Sequence, residues 1–212
     1  MADLFDTLNS LRGKMEAEMA FISQPIFELK AYQERDTLFD ASLAIDDWDV
    51  RASAYKEAGD SLIEHISEGT WHRDALAFPI LFLYRHYLEL RIKELILAGA
   101  PLVTASINVS SLFQQHDLLH LWTKLRPILE ALWDDPQSKA HDDAVEARIK
   151  EMNAIDSRSI SFRYPTDRSG RRSITGLPYL NLRHVKDVIQ AMSNVLDGAS
   201  IGIDEARRTQ GP

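Results

Sequence analysis

Three groups of polar residues in this 212-residue sequence have the types and spacing to do chemistry. The first group, Arg85, His86 and Glu89, lies in a strongly apolar stretch. Residues three or four positions apart share one face of a helix, so these side chains can touch. His86 could act as a general base and Arg85 could bind a phosphate, so the three are candidate catalytic residues. The alternative is a structural ion-pair network, which also perturbs pKa values.

The second group is the arginine-rich segment 156–172, whose charge is opposite to that of the whole chain. It contains five arginines and two aspartates, a local charge of +3, whereas the whole chain carries −8. Guanidinium groups suit phosphate oxygens, and aromatic rings can stack on bases. The nucleotide- or RNA-binding candidates are therefore Arg158, Arg163, Tyr164, Arg168, Arg171 and Arg172. The alternative is a solvated hairpin whose arginines pair with the protein's own acids.

The third group is His116-Asp117-Leu118-Leu119-His120. Two histidines four positions apart can share a metal ion, but a zinc site needs a third ligand. Asp117 is better explained as a helix cap. We therefore predict no metal site and no cofactor. The chain has no cysteine and no glycine-rich phosphate loop or dinucleotide fingerprint, which argues against kinases, P-loop enzymes and Rossmann dehydrogenases.

Helices must position these groups, because apolar residues recur every three or four positions along most of the chain. Ser111 and Asp117 are possible caps, and the stretch after Pro79 is apolar on every side, as in a central helix. The pattern predicts helices over 3–22, from Asp46-Asp47 to about Gly69, from Thr70 to about Gly99 with a kink or restart at Pro79, over 118–132, from Asp142-Asp143 to about Ile155, and from Asn181 to Asp197 with Gly198 as the stop.

Residues 156–178, before the last helix, break the helical pattern. Residues 159–164 alternate with period two, and a turn follows at Asp167-Arg168-Ser169-Gly170, which predicts a short hairpin or an ordered loop. The fold class is therefore all-α and the chain one domain: N-terminal helices in 1–69 pack on a helical core, 70–198, and a tail follows, 199–212. The proposed site requires the arginine-rich segment to fold over the polar face of the central helix.

Bulk properties restrict the location and partners of the protein. The longest apolar run, Leu76–Tyr84, falls short of the roughly 20 residues that a membrane span needs. The acidic N-terminus lacks the basic residues of a secretory signal. We therefore expect a cytoplasmic protein with no membrane partner. A net charge of −8 argues against general polyanion binding, although a local patch could still bind one.

Three patterns in this order resemble the HEPN superfamily. They are the helix Leu83–Leu95 with its Glu-x-x-x-Lys spacing, the helix start His116-Asp117-Leu118-Leu119, and the turn Ser161-Phe162-Arg163-Tyr164-Pro165. The resemblance covers about residues 70–197. It implies a bundle of four to five helices, often a homodimer, that acts in bacterial defence, toxin–antitoxin or nucleotide-handling systems. Many members are metal-independent RNases that use an arginine followed by a histidine after four to six residues.

This sequence departs from that RNase pattern. No arginine stands five to seven positions before any of the seven histidines, which are His65, His72, His86, His116, His120, His141 and His184. Three hypotheses follow. The leading one is a HEPN-like protein that binds RNA or a nucleotide. The others are an RNase with a divergent site that includes Arg85 and His86, and a non-catalytic partner subunit of a protein complex.

Overall fold

The described part of the chain consists of helices joined by turns and loops. A computed structural model describes residues 48–67, 73–174 and 179–210 of the chain, and within these ranges it contains no strand. An all-α fold is thus confirmed for this part, whereas the predicted helix over 3–22 lies outside it. The elements are α1 (Trp48–Ser67), α2 (Arg73–Gly99), a 3₁₀ turn (Ala100–Val103), α3 (Val109–Gln114), α4 (Leu118–Leu132), α5 (Pro136–Ile155) and α6 (Leu182–Gln210).

Helix α2 lies at the centre, as its apolar composition predicted. It packs against α1, α4 and α6, and nearly every residue from Ile80 to Ile96 is buried or half-buried. Pro79 lies inside the helix, so α2 does not restart there. Despite this apolar character, no helix in the described ranges is long and apolar enough to cross the bilayer.

Polar residues cap the starts of three helices, and two of these capping residues differ from the predicted ones. The side chain of Asp117 accepts a hydrogen bond from the His120 N–H and caps α4, as expected. Asn108, not Ser111, caps α3. Asp135 caps α5 directly before Pro136, so the predicted start at Asp142-Asp143 is wrong and those aspartates lie inside the helix. Proline at the first helical position favours this earlier start, because its missing N–H would have no partner there.

Helix α6 continues through Gly198 to Gln210, so the predicted stop at Gly198 is wrong and residues 199–210 are helical. The physical reason is that the apolar face continues past the glycine. Ile203 is fully buried, and a side chain at Gly99 of α2 would touch it. Tertiary packing of this kind outweighs the low helix propensity of a single glycine.

Two glycines of α6 give a matched test of this packing. A Cβ at Gly202 would lie 2.5 Å from Cζ2 of Trp133, whereas a Cβ at Gly198 would meet no atom within 4 Å. We expect Gly202→Ala to lower the free energy of unfolding by about 1–3 kcal/mol through overpacking. Gly198→Ala should raise it by about 0.5–1 kcal/mol through helix propensity. Urea denaturation measures both changes, and shifts of the same sign would contradict the described packing.

Residues 156–174, which follow α5, form an ordered loop. Asp156 Oδ1 accepts hydrogen bonds from the N–H groups of Ile160 and Ser161, and Thr166 and Arg172 form an isolated antiparallel bridge. The alternating residues 159–164 do not form a strand, because the Ile160 carbonyl accepts bonds from residues 163 and 164 in a turn. Gly170, with φ of +79°, occupies the predicted turn.

Candidate functional site

The polar residues of α2 form a buried charge network. Arg85 is 0% exposed, and its Nη1 donates to Glu89 Oε2 at 3.0 Å. Lys93 Nζ donates to Glu89 Oε1 at 2.8 Å. Burial pushes the pKa of Glu89 upward, but the bonds from Lys93, His116 and Arg85 outweigh it and leave the pKa below its usual value. Glu89 is thus an ionised carboxylate held between two buried cations.

Arg85 also connects α2 to two other parts of the chain. Its Nε donates to the Asp156 carbonyl at 2.8 Å, and its Nη2 donates to the His116 carbonyl. Each guanidinium nitrogen therefore has a partner within the protein. Because both side chains are buried and paired, a structural role is favoured for Arg85 and Glu89. This role is the sequence-based alternative to a catalytic one.

His86 lies among aromatic rings, apart from this network. Its ring meets Tyr55 edge-on at 4.4 Å and stacks nearly parallel on Phe82 at 5.8 Å, both measured between ring centroids. Burial is the main cause that lowers the pKa of His86, although Glu89 opposes it. A neutral imidazole at neutral pH follows. Such a ring can accept a proton, and it also serves as an apolar packing surface.

Arg163 brings the loop against this aromatic group. Its guanidinium carbon lies 5.6 Å from the ring centroid of Phe82, a cation–π distance, and 5.6 Å from that of Tyr164. Its Nε donates to the Ser159 carbonyl at 2.6 Å. The arginine-rich segment therefore folds onto α2, with Phe82 between Arg163 and His86 in the chain of contacts.

The other candidate arginines surround one depression in the loop, which we call the arginine cleft. It has a volume of about 360 Å³ and is lined by Arg158, Arg168, Arg171, Arg172 and four serines, among other residues. Arg171 pairs with Asp167 at 3.0 Å. Hydrogen bonds from Ser169 and from the Arg171 N–H hold the pKa of Asp167 well below its usual range. Within the described residues, the remaining three arginines form no ion pair.

An apolar depression adjoins the arginine cleft, and we call it the aromatic cleft. Its volume is about 490 Å³, and its apolar lining consists of Phe78, Phe162, Tyr164, Pro165 and Ile174. Ser161, Arg172 and Ser173 line both clefts. Sequence reasoning named Tyr164 but missed Phe78. This residue lies far from the loop in sequence, and its exposure near the start of α2 leaves no signal in the apolar pattern.

The sequence also contained no indication that His116 contacts Glu89; the His116 side chain was considered there as a possible metal ligand and as part of the resembling helix start. Its side chain is 55% exposed, and its Nδ1 lies 2.9 Å from Glu89 Oε1. A histidine oriented by a buried carboxylate can move protons. Within the described ranges, no group of three or more His, Cys, Asp or Glu side chains is arranged to hold a metal ion.

No protein-family model matches this chain, and searches of curated proteins and solved structures give no significant match. A function can therefore be inferred only from the geometry of the clefts and of the α2 network.

Proposed function

We propose that the loop before α6 binds RNA or a nucleotide. One observation carries the proposal: Arg158, Arg168 and Arg172 are exposed around one cleft and have no ion pair among the described residues. The chain has a net charge of −8, so acids are abundant elsewhere. Three arginines that form no internal pair in such a chain suit an external anion. Phosphate is the anion whose geometry the guanidinium fork fits best.

The neighbouring aromatic cleft supplies a surface for the base of the same ligand. Tyr164 is 55% exposed and Phe78 is also exposed, so both rings can stack on a base. Arg172 lines both clefts and lies where a phosphate would join a stacked base. A ligand with a planar apolar part and a phosphate part fits this pair of clefts better than a simple anion does.

The resemblance to the HEPN superfamily is part of the same proposal. Its members are helical bundles that handle nucleotides or RNA, often as homodimers in defence or toxin–antitoxin systems. The three resembling patterns lie in α2, at the start of α4 and in the loop before α6. The alternative to RNA binding is a partner subunit whose arginine cleft contacts an acidic protein.

The test is the salt dependence of binding to a fluorescein-labelled single-stranded oligoribonucleotide of ten nucleotides. If three arginines contact phosphates, log Kd should change with log salt with a slope of about 2. Arg172→Ala should weaken binding about tenfold at low salt and reduce the slope by about 0.7, because one phosphate contact is lost. Fluorescence anisotropy at salt concentrations on the order of 25 to 200 mM measures both the affinity and the slope.

Arg208→Ala is the matched control, since it removes the same charge from the C-terminal part of α6, outside both clefts. It should leave the affinity within about twofold, which is under 0.5 kcal/mol. No association at low salt, or equal losses in the two variants, would overturn the proposal and leave the partner-subunit alternative. RNA that shortens during incubation with EDTA would instead favour the alternative of a metal-independent RNase.

A further inference from the structure

The side chain of Asp142 is largely buried, and its carboxyl group has no partner among the described residues. It lies in the middle of α5, is 6% exposed, and forms neither a hydrogen bond nor an ion pair within the described part of the chain. A buried charge without a partner costs several kcal/mol, so folded proteins rarely contain one without a reason. The proposed RNA-binding function makes no use of this residue.

The carboxyl group lines a cavity between α4, α5 and α6, which we call the Asp142 cavity. Its volume is about 480 Å³, which is within the range of small-molecule sites. Four apolar residues line it, namely Leu129, Trp133, Val195 and Ala199, and Ser138, His141 and Asn194 supply further polar groups. Gly198 also lines it, and the open space at its Cβ position is part of the cavity.

The charges around Asp142 leave its carboxyl uncompensated. Burial raises its pKa to about 6, and the nearby acids Glu130 and Asp143 also raise it. Arg126 and His141 oppose this shift. Arg126 cannot serve as a close partner, because its nitrogens bond to Glu130 at 2.8 Å, Asp143 at 2.6 Å and Glu146 at 2.5 Å. A cation that entered the cavity would therefore meet a free carboxylate.

We propose that the Asp142 cavity binds a small organic cation, an ammonium group attached to an apolar body. The ammonium pairs with the Asp142 carboxylate and restores the ion pair that the protein itself does not supply. The apolar body lies against Leu129, Val195 and the indole of Trp133, whose ring also attracts cations. This site is separate from the arginine cleft and does not depend on the function proposed for it.

The probe for this proposal is 2-phenylethylamine, compared with 2-phenylethanol and phenylacetate, which keep the ring but change the charge. Calorimetric titration at pH 8, where Asp142 is ionised, should show the amine binding at least about tenfold more tightly than the alcohol, in keeping with a desolvated ion pair. Phenylacetate should not bind. Equal binding of all three compounds would overturn the proposal, because the carboxylate would then not be the recognition group.

Two variants and a matched control locate the binding. Asp142→Asn keeps the shape and should weaken amine binding about tenfold or more, and Gly198→Leu should abolish it by filling the cavity. Asp143→Asn makes the same change of charge one residue away, on a side chain that is 67% exposed, and should leave the affinity within about twofold. Equal losses at Asp142 and Asp143 would show a diffuse charge effect and reject the site. Undiminished binding to a folded Gly198→Leu variant would place the amine elsewhere.

Discussion

Glu89→Ala is expected to lower the free energy of unfolding by about 3–5 kcal/mol, because it leaves two buried cations without their shared counter-ion. Glu89 bonds to Arg85 at 3.0 Å and to Lys93 at 2.8 Å, and both cations are nearly inaccessible to water. Removing one member of a buried ion network costs more than the whole network contributes, since the remaining charges stay desolvated. A loss of this size is a large fraction of the stability of an ordinary domain.

Urea denaturation at pH 7 measures this loss, and Glu151→Ala is the control. Glu151 pairs with Arg148 at 2.8 Å on the surface of α5, so its removal should cost less than about 0.5 kcal/mol. A second variant separates charge from packing. Replacing Glu89 and Lys93 together by methionine removes one buried charge of each sign and leaves Arg85 its bonds to the carbonyls of Asp156 and His116, so it should recover part of the stability that Glu89→Ala loses. A loss at Glu89 no larger than the loss at Glu151 would mean that the network is not desolvated as described.

Asp142→Asn is expected to raise the free energy of unfolding. The increase should be about 1–3 kcal/mol larger at pH 8 than at pH 4. The pKa of Asp142 rises from 3.8 to about 6 on folding, mainly through burial. The folded state therefore holds the proton more tightly than the unfolded state does. The stabilisation from the protonated carboxyl is complete below about pH 3.8 and is lost as the pH rises through about 6. Asparagine keeps the neutral form at every pH.

The measurement is the difference in unfolding free energy between wild type and variant, taken by urea denaturation at several values between pH 4 and 8. The difference removes the titration of groups that both proteins share, which near Asp142 include Glu130, Asp143 and His141. Asp143→Asn, on an exposed side chain, should give a difference that varies little with pH. A pH-independent difference at Asp142 would contradict the raised pKa. A loss of stability at pH 8 would show that the carboxylate has a partner.

The central part of the fold could be predicted from sequence. Helix α2 was recognisable because it is apolar on every side, and the cap at Asp117 because an acidic residue precedes a helical stripe. Four of the five candidate arginines line one cleft, which agrees with their short spacing within a single loop. Signals of this kind are local, since each depends on residues within one or two turns of each other.

The features that were missed depend on contacts between distant segments. Gly198 resembles a helix stop until Ile203 is seen to pack beside Gly99, and that contact joins two helices far apart in sequence. In the sequence, Arg85 resembles an active-site residue. In the structure, its bonds to the carbonyls of Asp156 and His116 give it a structural role. Asp142 resembles a helix start, and only the cavity between three helices shows it to be a buried acid. No local pattern encodes these contacts.

Each of the two acids of the arginine-rich loop accepts two hydrogen bonds from backbone amides. Asp156 accepts bonds from the N–H groups of Ile160 and Ser161, and Asp167 from those of Ser169 and Arg171. These bonds fix the loop before any ligand arrives, and neither carboxylate neutralises Arg158, Arg168 or Arg172. Association with a phosphate chain would then require little ordering of the backbone, so more of the contact energy would remain as affinity. The loop is in this sense a preorganised receptor, because the carboxylates of Asp156 and Asp167 hold its backbone in place.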